Sequence, residues 1–352
     1  MTADLHENPL NHSLHSGSCS CSQKNTSGGG RHIAELIPEA YEKIIKSASL
    51  GNGISGIPSG FASLDKLTSG WQNGELIAIG GRPGMGKTAF ILSILKQMTV
   101  DNHVPAMLFS LEMNERQITN RLISCVCEIP CEKIKNGQLA PYEWGQLDYK
   151  LKELYNAPLY IDTPAALTIE ELCQKAANAV KEHGVKLIVI DYLQLLYQKI
   201  GYTESRYIEL NYFTRRLKSL AKELDIPIII TSQLNRETEK RGGLNSSRPQ
   251  LSDLRDSGTI CDDSDIVCFI HRPEYYHIYQ DEQGNDLHGI AECYIAKHRN
   301  GPLGKVLLHF QKECACFHPI ELFKKMKQAI LSSRISPSGH SPFDTPLPDV
   351  PF

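Results

Sequence analysis

Long apolar runs are missing from this chain: no stretch reaches the roughly 18 residues that carry a helix across a bilayer, so no membrane span is expected. A surplus of positive charge is missing as well. With 37 Lys and Arg against 40 Asp and Glu the formal net charge is -3, which excludes a global basic field for a polyanion and leaves only local basic contacts. Nor is there an apolar signal segment, so the 11 cysteines spread over 352 residues read as reduced thiols in a cytoplasm and not as a disulfide framework. Three pairs have C-x-C spacing: Cys19 with Cys21, Cys125 with Cys127, and Cys314 with Cys316 ahead of His318. A structural zinc site wants a second ligand pair at matching spacing, and that second pair is lacking, so zinc is not expected.

What is present divides the chain into four stretches. Residues 1–30, rich in Ser, Asn, His and Gly, have too few large apolar residues for a core and are expected to be disordered. Residues 31–55 are expected to form a linker helix and a glycine-rich linker. Ile33, Leu36, Ile37, Ala40, Tyr41, Ile44 and Ile45 recur at helical spacing, and Gly51-Asn-Gly-Ile-Ser-Gly56 follows them. The stripe on that helix needs a surface to cover it, either on its own domain or on a neighbouring subunit, and the linker favours the neighbour. Over 56–320, short β-type runs alternate with helical stretches, the pattern of an α/β fold with a mainly parallel sheet flanked by helices. The runs are 76–80, 104–110, 186–190, 226–231 and 265–270, and two more, 292–296 and 305–310, read as a closing hairpin. Residues 321–352 are expected to hold a helix remnant and a disordered Ser- and Pro-rich tail.

Gly81-Arg82-Pro83-Gly84-Met85-Gly86-Lys87-Thr88, followed by Ala89, is the most informative segment. It has the form G-x-x-x-x-G-K-[ST] between an apolar strand and a helix, the context that a phosphate-binding loop requires. Glycines let backbone N–H groups wrap phosphates, the helix N-terminus adds partial positive charge, Lys87 supplies a cation, and the Thr88 hydroxyl suits a magnesium ion. ATP and Mg2+ are therefore the expected cofactors, with Thr88 and Asp191 as the metal-binding pair. Asp191 closes the buried run Lys186-Leu-Ile-Val-Ile-Asp191; a carboxylate there is also a common turn or cap residue, but the upstream loop favours the metal. Glu112 follows the run ending at Ser110 and is placed to activate water, unless it is a solvated first-turn residue. Gln233 ends a third strand, where an amide can sense a γ-phosphate or simply face solvent.

With those residues in place, the chain resembles the DnaB family of replicative DNA helicases, whose motor is a RecA-like domain. The resemblance runs from about Gly56 to Phe310. It rests on Gly56-Ile-Pro-Ser-Gly-Phe61 with Leu64-Asp65, on the loop at 82–88, and on Phe109-Ser-Leu-Glu-Met113. It continues through Ile190-Asp-Tyr-Leu-Gln-Leu195, Ser232-Gln-Leu-Asn-Arg236, Leu251-Ser-Asp-Leu-Arg-Asp-Ser-Gly258 and Lys297-His-Arg-Asn-Gly301. It implies an ATP-dependent helicase that moves 5′ to 3′ on single-stranded DNA as a homohexameric ring, with a primase or helicase loader as a further partner.

By the same resemblance, Lys87, Glu112 and Gln233 serve catalysis, while Lys297 and Arg299 reach into a neighbouring subunit's site. Arg255, Asp256 and Gly258 would contact the DNA backbone, and the helix at 33–45 would dock on the adjacent subunit. Arg215, Arg216, Arg236, Arg241 and Arg248 either add to the DNA-facing field or face solvent. The chain departs from the family in several places. No globular collar domain is expected in the first 30 residues, alanines stand in Leu172–Asn178 where relatives often carry arginine, Gly84 replaces a usual Ser, and His298 replaces a common Asn. Two alternatives stay open: another RecA-like DNA-dependent ATPase, such as a recombinase or clock-type ATPase, and an accessory subunit that joins a host helicase ring.

Overall fold

The computed structural model describes residues 30–50, 53–197, 206–234 and 248–323, the side chains of 255–258 excepted. Most of the two expected disordered segments, together with Gly51, Asn52, Asn235, Arg236 and Arg241, lies outside those residues. By its contacts the chain divides into Met1–Lys46 and Ser47–Phe352. Helix α1, Ile33–Ser49, forms where the apolar spacing places it and continues past the last periodic residue. None of its residues is buried, and Ile33, Ile37, Tyr41, Ile44 and Ile45 are all exposed.

The second unit is built on a nine-stranded sheet in the order β3-β2-β4-β5-β1-β6-β7-β8-β9. These strands are β1 Leu76–Gly81, β2 Ala106–Ser110, β3 Leu159–Asp162, β4 Leu187–Asp191, β5 Ile228–Gln233, β6 Ile266–His271, β7 Ile290–His298, β8 Gly304–Gln311 and β9 Cys316–Pro319. Strands β3 through β6 in that order are mutually parallel, and β6 to β9 are antiparallel. The expected closing hairpin is β7 with β8, which pair with Ile295 opposite Gly304. Strands β3 and β9 escape the periodicity. The first is a four-residue edge with every residue only half-buried, and the second interrupts its apolar character with His318 and Pro319.

Apolar residues at both parities explain why β1 lies in the middle. Ile77 and Ile79 join a core on one face with Phe90, Ile94 and Leu95 of α3, Lys87–Leu95, and with Phe61 and Leu64. Leu76 and Ala78 join the other core with Phe213 and Leu217 of α8, Arg206–Leu224, and with Leu172 and Ala176 of α7, Ile169–His183. Each fully buried Leu or Ile contributes about 1.5–3 kcal/mol, so a strand buried on both faces is the natural centre of the sheet. Phe90 stacks on Phe61, with ring centroids 5.5 Å apart, and meets Phe317 of β9 edge-on at 5.4 Å, which joins α3 to both ends of the fold.

Helix ends are set by side chains. Asn114 caps α4, Glu115–Cys127, in a reciprocal box with Gln117, and Thr168 caps α7 in the same way with Glu171. Gly86, with φ 93°, occupies the N-cap of α3 in a backbone region that side chains rarely adopt, so the loop needs glycine there. Cys125 on α4 and Cys316 on β9, 191 residues apart in sequence, meet with Cys314 in a small buried cluster that brings the Cα atoms of Cys125 and Cys316 to 5.3 Å. No described helix is long and apolar enough to cross a membrane.

Candidate active site

A cavity of about 500 Å³ opens at the carboxyl ends of β1, β2 and β5, with the end of β4 just behind it, as expected where ligands bind in open α/β sheets. Each strand delivers one expected group. The loop after β1 lines the cavity with Pro83, Gly84, Gly86, Lys87, Thr88 and Ala89, the turn after β2 brings Glu112, and the end of β5 brings Gln233. Asp191, at the end of β4 and fully buried, sits directly behind Thr88.

Lys87 is held inside its own loop. Its ammonium donates to the carbonyl oxygens of Gly81 at 2.8 Å and Arg82 at 3.2 Å. Burial pushes its pKa down, while the Asp191 and Glu112 carboxylates pull it back up, so those two acids are its electrostatic counterparts. Asp191 is fixed from two sides: the Thr88 hydroxyl donates to Oδ2 at 2.7 Å and the Thr231 hydroxyl to Oδ1 at 2.5 Å. A carboxylate and a hydroxyl side by side make a hard-oxygen donor set, so the residues fit a magnesium ion that completes its shell with water and phosphate oxygens. No group of three or more His, Cys, Asp and Glu among the described residues could hold a metal by itself.

The rest of the expected cradle supports the loop from behind. Arg82 is buried, donates to the Tyr276 hydroxyl and lies over that ring at 5.0 Å, while the Met85 side chain is buried in the core. The Arg272 guanidinium reaches the Gly84 carbonyl at 3.4 Å. Gly84 has φ 78°, and a Cβ there would come within 2.8 Å of the Tyr275 ring, so a side chain at this position would require the ring to shift. Near Gln233, Gln194 Nε2 donates to Ser232 Oγ at 2.8 Å, joining the 3-10 turn after β4 to the end of β5.

Several residues at the cavity carry no sequence signal. Arg121 comes from α4, Cys131 begins α5, Cys131–Asn136, and Phe310, Lys312 and Ala315 come from the end of β8 and the turn beyond it. They converge only through packing. Tyr192 follows Asp191, and its phenol is pushed up by burial and then by the Glu112 and Asp191 charges.

Lys297 and Arg299 do not line this cavity. Both reach the end of α9, Gly258–Asp263. Lys297 donates to the carbonyls of Cys261 and Asp262, and Arg299 donates to the Asp262 carbonyl at 2.6 Å and to Asp265 Oδ1 at 3.0 Å. The side chains of Arg255 and Asp256 are outside the description; their backbone belongs to a 3-10 segment, Leu251–Ser257, that runs into α9, of which Gly258 is the first residue. Arg216 pairs with Glu223 at 2.9 Å and Arg248 grips Glu292 through two nitrogens, so these two arginines are engaged within the fold, while Arg215 is exposed.

Comparison with known proteins agrees with this geometry. Residues 56–319 match the family described as DnaB-like helicase C terminal domain. The replicative DNA helicase DnaB of Geobacillus stearothermophilus is 38% identical over 300 residues, covering 85% of this chain and 64% of that protein. The replicative DNA helicase DnaC of Bacillus subtilis (strain 168) is 36% identical over 299 residues with the same two coverages, 85% and 64%. The chain thus spans 64% of the length of these curated relatives. Among solved structures, one described as an ATPase domain superposes with a TM-score of 0.75 at 37% identity, covering 83% of this chain and 99% of that one. A DnaB-like replicative helicase, solved in a study of its interactions with primase, superposes with a TM-score of 0.72 at 36% identity, covering 84% and 68%. The P-loop between β1 and α3, the acids at the ends of β2 and β4, and the match over 56–319 together make this chain a member of the DnaB-like helicase C-terminal domain family, with the RecA-like α/β fold.

Proposed function

We propose that this chain is the motor of an ATP-dependent replicative DNA helicase, moving 5′ to 3′ on single-stranded DNA as a hexameric ring. The observation that carries the reading is the convergence of Lys87, Thr88, Glu112 and Gln233 on one cavity, with Asp191 bonded to Thr88 behind it, while Lys297 and Arg299 stand elsewhere on the chain. The cavity has its cation, metal-binding pair and water-activating acid in place, and Lys297 and Arg299, the pair that the resemblance assigns to a neighbour's site, stand outside it, which supports a site shared between copies. Bound magnesium would supply charge across the β- and γ-phosphates, and Thr88 and Asp191 are the residues that would hold it.

The chain's own groups do the remaining work. Lys87 and the loop amides bind and orient the phosphates, and Glu112 holds the attacking water and takes its proton. The Gln233 amide registers the terminal phosphate. Arg299 and Lys297 of the adjacent copy add fixed positive charge where negative charge develops on the transferred group. The 251–258 segment would contact DNA phosphates, which suits a motor that must step along any sequence. A primase or a loader is the expected further partner, in a cytoplasmic setting.

The test is ATP hydrolysis by the purified chain with and without single-stranded DNA. Hydrolysis should require magnesium, rise with DNA, and fall by at least about 100-fold in Lys87→Ala. An undiminished rate in Lys87→Ala would contradict the site assignment.

A further inference from the structure

Asp265 is a heavily engaged carboxylate in the described fold outside the cavity. It stands just before β6, is 5% exposed, and every bond it makes holds something in place. Its Oδ2 accepts the Leu76 backbone N–H at 2.8 Å and the Lys218 ammonium at 2.5 Å, while Lys218 also reaches the Gly74 carbonyl at 2.8 Å. Its backbone N–H donates to the Leu76 carbonyl and its carbonyl accepts the Arg299 N–H, each at 2.9 Å. The remaining oxygen, Oδ1, accepts from Arg299 Nη1 at 3.0 Å. Asp265 is thereby tied to the start of β1, to α8 and to the end of β7.

The Arg299 guanidinium is consequently gripped at two points. Nη1 goes to Asp265 and Nη2 to the Asp262 carbonyl at the end of α9, and the Arg299 side chain remains 43% exposed. A guanidinium has five N–H donors in a fixed plane, so two inward bonds set its orientation and leave the others for an outside acceptor. A buried carboxylate with all its partners in rigid elements is a better anchor than a surface acid would be.

We infer that Asp265 is a positioning residue for catalysis in trans: it fixes the plane of Arg299, so that the exposed edge of the guanidinium meets the phosphates bound by the adjacent copy. The inference rests on the shared-site reading above. It also links the 251–258 segment to the neighbour's site, because α9 continues that segment and carries the second hold on Arg299.

The test uses the full chain in DNA-stimulated ATP hydrolysis. Asp265→Asn should lower kcat by at least about tenfold with KM for ATP changed by less than about twofold, since its own cavity is intact. Mixing it with Glu112→Gln subunits, which are inactive but carry a correctly held Arg299, should restore activity. A general loss of structure would not be rescued in this way. Arg299→Ala is the control, because its activity should be lost and restored in the same mixture. If Arg299→Ala keeps its activity, or is not restored, the shared-site reading itself fails.

If Arg299→Ala is restored and Asp265→Asn is not, the positioning role is overturned. It is overturned equally if Asp265→Asn hydrolyses ATP as fast as the parent or faster. Should Asp265→Asn not fold, Arg299→Lys decides. A lysine keeps the charge but loses the planar fork that spans Asp265 and Asp262, so it should be as impaired as Arg299→Ala; activity near that of the parent would refute the inference.

Discussion

Thr231 is buried and does not line the cavity, yet its hydroxyl supplies one of the two side-chain hydrogen bonds that hold Asp191. Partners that orient a metal-binding carboxylate govern metal affinity, so Thr231→Val should raise the magnesium concentration for half-maximal hydrolysis by about 10–100-fold. A magnesium titration checks this, and an unchanged midpoint would mean that Thr88 alone suffices to hold the carboxylate. His271 offers a test of another kind. It is buried, stacks on Tyr276 with centroids 5.4 Å apart, and its pKa is pulled from the usual 6.5 down to about 4, by burial first and by the Arg248 and Arg82 charges next, against the pull of Glu292. The folded protein therefore binds fewer protons at this residue than the unfolded chain does between those two values. The stabilisation from a neutral His271 is complete above pH 6.5 and lost as pH falls to about 4, up to about 3 kcal/mol. Urea unfolding across that range should show the loss in the parent and a flatter profile in His271→Phe.

Among elements, α3 couples the phosphate loop to the rest of the fold, since seven of its nine residues are buried. Phe90 carries much of that coupling through Phe61 and Phe317, so Phe90→Ala should lower the unfolding free energy by about 3–5 kcal/mol, measured by urea denaturation. A loss below about 1 kcal/mol would mean that the surrounding rings close over the gap. The elements that build the cavity were legible in the sequence where they obey a simple rule. Strands β1, β2, β4 and β5 are apolar runs, each ending beside a chemically distinctive residue, and the glycine spacing between β1 and α3 admits few readings. Strands β3 and β9 were not legible, because an edge strand and a strand containing His and Pro owe their conformation to neighbours distant in sequence. The same holds for Arg121, Phe310 and Lys312, which reach the cavity from separate elements. The approach of Cys125 to Cys316 needs the packing of α4 beside β9 and has no local cue.

For the molecule as a whole, the sheet order places the loop strand β1 between β5 and β6, so the cavity opens on one side of the centre while β7 carries Lys297 and Arg299 at its own end. No rearrangement of a single copy is needed to explain this separation if the cavity of one copy receives the arginine of the next. The exposed apolar stripe of α1 and the hydrogen-bonded fork on Arg299 are two features that the proposed assembly would use. The net charge of -3 fits the proposed ring, which would repeat one short DNA-facing segment and need no basic surface elsewhere. The most direct measurement is strand displacement from a forked duplex, with a 5′ or a 3′ single-stranded tail, at saturating ATP and magnesium. The account predicts ATP-dependent release of the strand from the 5′-tailed substrate and none with Lys87→Ala. Hydrolysis stimulated by single-stranded DNA but without displacement from either substrate would contradict it.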